Sequence, residues 1–216
     1  MNIHTLNRVI YLARCGEEVS GVSLKADPNL SEAGKEYSEK LYASIMKRIK
    51  ERNRGYEARS DGVILKVWCS SQVKCIQTAE PFLDKDGVVV RRRMMLRGRD
   101  EGVVLGMTPN EIKEKYPEEY DKHIIDPYNY SFPRAEVRFI HHISMSSFIV
   151  SCCEREENDI LIIAPESVLR CVYAYFTPGI LPKRVIPTLK FPRSVLVELT
   201  PTAYGCIEKK IPITDA

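Results

Sequence analysis

No stretch of this chain approaches the roughly 18 consecutive apolar residues that a membrane-spanning helix needs, so none is expected to cross a bilayer. The first residues lack the apolar core of a signal peptide, and nothing in them predicts secretion. The phosphate-binding pattern G-x-x-x-x-G-K-[ST] is missing: Gly34-Lys35 has neither the upstream glycine nor a preceding strand, which excludes an ATP-cradling loop of that kind. A net charge of +3 is too small to point to nucleic acid. The seven cysteines are odd in number and irregular in spacing, which argues against a disulfide framework and for reduced thiols in a cytosol-like compartment. The histidines, His4, His123, His141 and His142, show no metal-ligand spacing; His141-His142 reads as an exposed pair on a helix. With no internal repeat, low-complexity segment or linker, residues 1–216 are expected to form a single domain.

What is present is the composition of a soluble globule, 44% apolar and 28% charged. Val9-Ile10-Tyr11-Leu12-Ala13 reads as a buried strand that ends abruptly in Arg14-Cys15-Gly16-Glu17. A polar loop follows, and Ser31 is a good N-cap for a helix running to about Arg54. Further strands are expected at Val63–Cys69, at Val88–Val90 closed by Arg91-Arg92-Arg93, and at Ile160–Ala164. Late edge-side strands are expected at Ser194–Leu199 and Ala203–Ile207, joined by a turn at Pro201-Thr202. Helices are expected through Ile76–Ala79, at Pro109–Tyr116 capped by Thr108, over Glu136–Glu157, and at Val168–Phe176. The remainder of the middle third, residues 96–135, reads as irregular, and three prolines between 178 and 187 read as a loop. Alternating strands and helices predict an α/β fold of three layers, a mostly parallel sheet with helices on both faces.

In such a sheet the C-terminal strand ends converge on one crevice. The first strand brings Arg14 and Cys15 there, the second Ser70, Ser71 and Lys74, and the fourth Glu166, with Arg170 one helical turn on. Three cations at matching strand ends suit a phosphate or another anion. Each residue also has a plain structural reading: the cations as solvated rim, and Cys15 as a small packed core residue.

Several stretches together resemble the histidine phosphatase superfamily, and within it the fructose-2,6-bisphosphatase half of the bifunctional 6-phosphofructo-2-kinase/fructose-2,6-bisphosphatases. They are Ile10–Glu17, Leu30-Ser31-x-x-Gly34, Lys66–Ser70 with Ile76–Glu80, Met107-Thr108, and Tyr116–Glu119. Arg170-Cys171 with Ala174–Phe176, and Leu199–Pro201 with Ala203–Cys206, complete the set, and the likeness covers residues 8–208. The resemblance implies a phosphoglycerate mutase-like fold. It also implies a mechanism in which a histidine takes up the phosphoryl group, an acid protonates the departing sugar oxygen, and two arginines and a second histidine hold the phosphate.

By that resemblance the catalytic positions are largely substituted here. The nucleophile position holds Cys15, the second arginine Lys74, the proton donor Gly98 and the second histidine Pro165; Arg14 alone is kept. The family asparagine falls loosely at Gly21. Tyr116, Arg134 and Arg170 match positions that contact the sugar and its second phosphate, Arg134 standing for a lysine. Tyr116 has an equally plain reading as packing against Pro117. Arg91-Arg92-Arg93 has no counterpart and reads as a solvated strand end.

Loss of a general acid alone costs about 10²–10⁴ in rate, and loss of the nucleophile removes the covalent route. Lysine lacks arginine's planar fork, and proline offers neither charge nor N–H. Glu166, where the resemblance places glutamine, sets a carboxylate beside any bound dianion; at about 4 Å and an effective dielectric near 20 the repulsion is about 4 kcal/mol per unit charge.

Three readings follow. The first is a catalytically inactive or strongly impaired bisphosphatase-like domain, structural, regulatory or sugar-phosphate-binding, with a kinase domain in the same full-length protein. It would hold sugar phosphate or inorganic phosphate on Arg14, Lys74, Tyr116, Arg134, Glu166 and Arg170. The second is an active phosphohydrolase working through Cys15, with Asp100 or Glu101 as the acid, although Cys15 lacks the Cys-x5-Arg loop of thiol phosphatases. The third is an interaction module that binds no sugar phosphate. In all three no cofactor, metal, nucleic acid or membrane is expected, and the location is expected to be cytoplasmic.

Overall fold

The computed structural model describes residues 8–19, 27–52, 62–98, 102–104, 106–126, 130–135, 149, 156–177, 183–202 and 205–213. Among these, one six-stranded sheet is built from β1 (Ile10–Arg14), β2 (Leu65–Ser70), β3 (Val88–Arg93), β4 (Asp159–Ala164), β5 (Val195–Thr202) and β6 (Gly205–Pro212). The order across it is β3-β2-β4-β1-β5-β6, parallel from β3 to β1 and antiparallel from β1 to β6. Five helices accompany it: α1 (Glu32–Arg52), α2 (Val73–Ala79), α3 (Pro109–Lys115), α4 (Pro117–Ile125) and α5 (Glu166–Phe176).

The central strands are apolar on both sides because both faces are covered. Ile10, Leu12, Trp68, Ile160 and Ile162 pack with Val168, Leu169 and Val172 of α5 on one face. Tyr11, Ala13, Val67, Leu161 and Ile163 pack with Leu41, Ile45 and Ile49 of α1, and with Cys75 and Ala79 of α2, on the other. Leu41, Ile45 and Ile49 recur every four residues, which places them on one side of α1; full burial of each such side chain is worth about 1.5–3 kcal/mol. Ser31 caps α1 by accepting the Gly34 N–H at 3.1 Å. The Thr108–Glu111 capping box starts α3 as expected, with Pro109 at its first position. No helix among the described residues is long and apolar enough to cross a membrane.

Several expectations need correction. Arg91-Arg92-Arg93 does not close β3 but continues it, paired with Trp68, Cys69 and Ser70; ladder hydrogen bonds outweigh the weak β preference of arginine. The middle third is less irregular than composition suggests, since Pro117 opens α4 as a first-turn proline. A 3₁₀ helix spans Lys183–Thr188 where a loop was expected. β5 and β6 lie on the edge side of the sheet as expected, β6 at the edge itself, but β5 runs through Pro201-Thr202, where a turn was expected, and residues 203–204 lie outside the described residues. The expected helix over Glu136–Glu157 falls almost wholly outside the described residues, and Glu156 and Glu157 are not helical. Gly21, Asp100, Glu101, His4, His141 and His142 also lie outside them.

Candidate anion site

Because β1, β4 and β2 are parallel neighbours, their C-terminal ends open side by side. In register, Arg14 lies beside Ala164 and Cys69 beside Ile163. The ends of these strands, and the first turns of the helices that follow β2 and β4, therefore lie at one mouth, where the sequence predicts Arg14, Cys15, Lys74, Glu166 and Arg170.

The turn after β1 is held by backbone hydrogen bonds at Arg14, Cys15 and Gly16. The Arg14 carbonyl accepts from the Tyr37 hydroxyl at 2.8 Å, and the Cys15 carbonyl from Arg193 Nε at 3.0 Å. The Cys15 N–H donates to the Ala164 carbonyl at 3.3 Å, and the Gly16 N–H to Thr78 Oγ1 at 2.9 Å. Gly16 and Gly34 let this turn and the first turn of α1 meet backbone to backbone: a Cβ at Gly34 would lie 2.3 Å from the Glu17 carbonyl oxygen. Such a turn is preorganised.

The side chains divide into two ion-paired groups. Glu166, at the start of α5 where a carboxylate suits the helix dipole, reaches Arg14 at 3.7 Å and Arg170 at 3.2 Å. Its other oxygen accepts the Phe191 N–H at 2.8 Å, and Arg170 Nε donates to the Leu189 carbonyl at 2.7 Å. On the opposite side Lys74 donates to Glu18 at 2.7 Å. Burial opposes the charge on Lys74, but the Glu18 hydrogen bond and the neighbouring Cys15 and Glu18 charges outweigh it and hold the ammonium above its ordinary value.

Cys15 sits 3% exposed at the floor between these groups. Its thiol is held below the ordinary cysteine range, chiefly by a side-chain hydrogen bond from Cys75, then, against the burial penalty, by the charges of Lys74, Arg193 and Arg14. Burial pushes the neighbouring Tyr37 phenol up, and the Cys15 charge adds to this.

Gly98 and Pro165 are also brought together: a Cβ at Gly98 would stand 3.6 Å from Pro165 Cγ and 3.7 Å from Ser167 Oγ, ordinary contact distances. Ser70 is fully buried and accepts the Gln72 N–H, while Ser71 is half-buried beside it. Tyr116 joins α3 to α4 as the cap of both. Arg134 is exposed in a tight turn at φ 59° that packs on Gly102. Among the described residues no side-chain hydrogen bond or ion pair ties Tyr116 or Arg134 to the Arg14–Glu166–Arg170 group.

The sequence reading missed Arg193, Glu18, Tyr37 and Cys75. Cys75 was within reach, being next to Lys74 in a short helix; Arg193 was not, since only the antiparallel return of β5 carries it to Cys15.

The histidine phosphatase superfamily (branch 1) profile matches residues 10–206. The chain belongs to the histidine phosphatase superfamily. It is 36% identical over 209 residues to rat 6-phosphofructo-2-kinase/fructose-2,6-bisphosphatase 1 and 36% identical over 211 residues to human 6-phosphofructo-2-kinase/fructose-2,6-bisphosphatase 4. Each match covers 95% of this chain and 40% of the relative, so this histidine phosphatase-superfamily chain spans about two-fifths of the proteins it matches. Among solved structures it resembles the α-ribazole phosphatase of Shigella flexneri, with a TM-score of 0.74, 17% identity, and coverage of 94% of this chain and 96% of that one. It also resembles a mycobacterial glucosyl-3-phosphoglycerate phosphatase in complex with inorganic phosphate, with a TM-score of 0.62, 17% identity, and coverage of 94% and 95%. These likenesses establish the phosphoglycerate mutase-like α/β fold expected from the sequence.

Proposed function

We propose that this is a catalytically silent or strongly impaired fructose-2,6-bisphosphatase-like domain that serves as a regulatory or sugar-phosphate-binding part of a kinase/bisphosphatase-type protein. The observation that carries the reading is the ion pairing of Glu166 with both Arg14 and Arg170, while Glu18 takes Lys74. The cations that would stabilise phosphoryl transfer are answered by the chain's own carboxylates.

The roles assigned by resemblance agree with this. Cys15 stands at the nucleophile position, Lys74 at the second arginine, Gly98 at the proton donor and Pro165 at the second histidine. Removing the donor alone accounts for about 10²–10⁴ in rate, and Pro165 brings no charge to the phosphate. A sugar phosphate would bind by displacing Glu166 from Arg14 and Arg170, with Lys74, Tyr116 and Arg134 as further contacts. In the same reading the protein is cytoplasmic.

Incubation of pure protein with fructose 2,6-bisphosphate, following phosphate release, tests this beside the restoring variant C15H/K74R/G98E/P165H. No turnover in the unmodified protein is expected. A Cβ at Gly98 meets its neighbours only at ordinary contact distances, so the backbone there accepts a side chain.

One observation favours a second reading, hydrolysis by Cys15: its thiol is held in a state closer to the thiolate than an ordinary cysteine. Turnover in the unmodified protein that disappears in Cys15→Ser would establish that reading and overturn the first.

A further inference from the structure

Cys15 and Cys75 are not explained by anion binding. Neither strand end nor helix needs a thiol at these positions, and both side chains are buried, at 3% and 0% exposure, in one core cluster. Their approach is imposed by the backbone. The Gly16 N–H donates to Thr78 Oγ1, and Thr78 Oγ1 donates to the Lys74 carbonyl at 2.6 Å, which docks the face of α2 bearing Cys75 and Thr78 against the end of β1. That contact sets Cys15 and Cys75 in the same buried cluster, where each thiol bears on the other's protonation. We propose that Cys15 and Cys75 are a redox pair that closes reversibly to a disulfide when a hydroperoxide, hydrogen peroxide being the simplest, enters the crevice.

The chemistry balances in two steps. The Cys15 thiolate attacks one peroxide oxygen, the O–O bond breaks, and hydroxide leaves and takes a proton to become water; the sulfur is oxidised to a sulfenic acid and the peroxide is reduced. Cys75 sulfur then attacks Cys15 sulfur, the S–O bond breaks, and the departing hydroxide takes the Cys75 proton. Two thiols and one hydrogen peroxide give one disulfide and two waters.

The surroundings favour this order. Lys74, Arg193 and Arg14 support the charge on Cys15, the attacking sulfur. Cys75 is held protonated first by its hydrogen bond to Cys15, then by burial and by the Cys15 charge. Conversion of Cys15 to the neutral sulfenic acid removes that charge, and Lys74 then eases deprotonation of Cys75. The third buried thiol nearby, Cys69, is pushed up by burial and faces the Arg91 carbonyl at 3.9 Å, so it is the poorer partner.

The test uses the full chain, reduced, treated with hydrogen peroxide, blocked with iodoacetamide and digested without reductant for mass mapping. The expected product is a cross-link between the peptides holding Cys15 and Cys75, an intact mass lower by two hydrogens, and full reversal by dithiothreitol. Cys69→Ser is expected to keep the cross-link; Cys75→Ser is expected to lose it and to leave Cys15 as a sulfenic acid that dimedone traps. A dominant Cys69–Cys75 cross-link, over-oxidation of Cys15 with Cys75 still alkylatable, or a Cys15 that does not react would each overturn the proposal. The mapping of the unmodified protein decides it even if a variant fails to fold, and it does not depend on whether the crevice binds a sugar phosphate.

Discussion

Near the starts of the parallel strands, Asp159 binds Arg52 at 2.6 Å and Glu198 binds Arg48 at 2.7 Å; at their far ends, Glu166 reaches Arg14 at 3.7 Å and Arg170 at 3.2 Å. The same residue types do different work. Glu198 is 3% exposed, and Asp159 also accepts the Val9 N–H at 2.8 Å, so these pairs clamp α1 to the sheet. Glu166 also accepts a backbone N–H, from Phe191 at 2.8 Å, but its contacts to Arg14 and Arg170 are longer than either clamp and its charge is divided between two guanidiniums. In the proposed reading these longer contacts are the ones that an incoming anion exchanges for. Charges at one end clamp α1 to the sheet; in the proposed reading those at the other keep the place of an anion.

The largest expected effect breaks the clamp. Arg48→Met leaves the Glu198 carboxylate buried without its guanidinium, and a loss of about 3 kcal/mol in unfolding free energy is expected by urea titration. An unchanged midpoint would mean that the two ends do not differ. Next, Gly34→Ala should cost about 2 kcal/mol through overpacking, although alanine in a helix normally stabilises; the thermal midpoint reads this. Phosphate titration of the same variant should show a weakened site, because the added Cβ pushes on Glu17.

Glu166→Gln sharpens the contrast at the mouth. Removing the competing charge should tighten inorganic phosphate about tenfold, or about 1.4 kcal/mol, by calorimetry, with little change in stability. Equal or weaker binding would show that Glu166 does not compete with the anion. The smallest effect at neutral pH belongs to Tyr11→Phe. Burial, with Asp159 next, pushes the Tyr11 phenol up to about 12 from 10.0. Between those values the unfolded chain has lost a proton that the folded chain keeps, so stability falls as pH rises. The variant should fall less steeply from pH 10 to 12 and match the parent at pH 7.

The strands were legible because both faces of the sheet are covered. Ile10–Ala13 and Ile160–Ala164 read as short, unbroken apolar runs that period and length identify. Their parallel adjacency followed from the alternation with helices, and so did the convergence of Arg14, Lys74, Glu166 and Arg170. Legibility failed where pairing overrode local preference. Three arginines extend β3 because β2 offers a complete ladder, and Pro201 is carried within β5 opposite Cys206.

Residue identity alone determined that this chain builds an apolar two-faced sheet with cations at its strand ends, and that a thiol, a lysine, a glycine and a proline occupy the positions where its superfamily resemblance expects catalytic groups. Only the tertiary structure decided which carboxylate answers which cation, that Arg193 returns to Cys15, and that Cys75 meets Cys15 beneath the crevice. The reason is physical. Apolar periodicity is a local signal written along one segment, whereas ion pairs such as Lys74–Glu18 and hydrogen bonds such as that from Arg193 to the Cys15 carbonyl join residues 56 and 178 positions apart, and their partners exist only after the sheet has assembled.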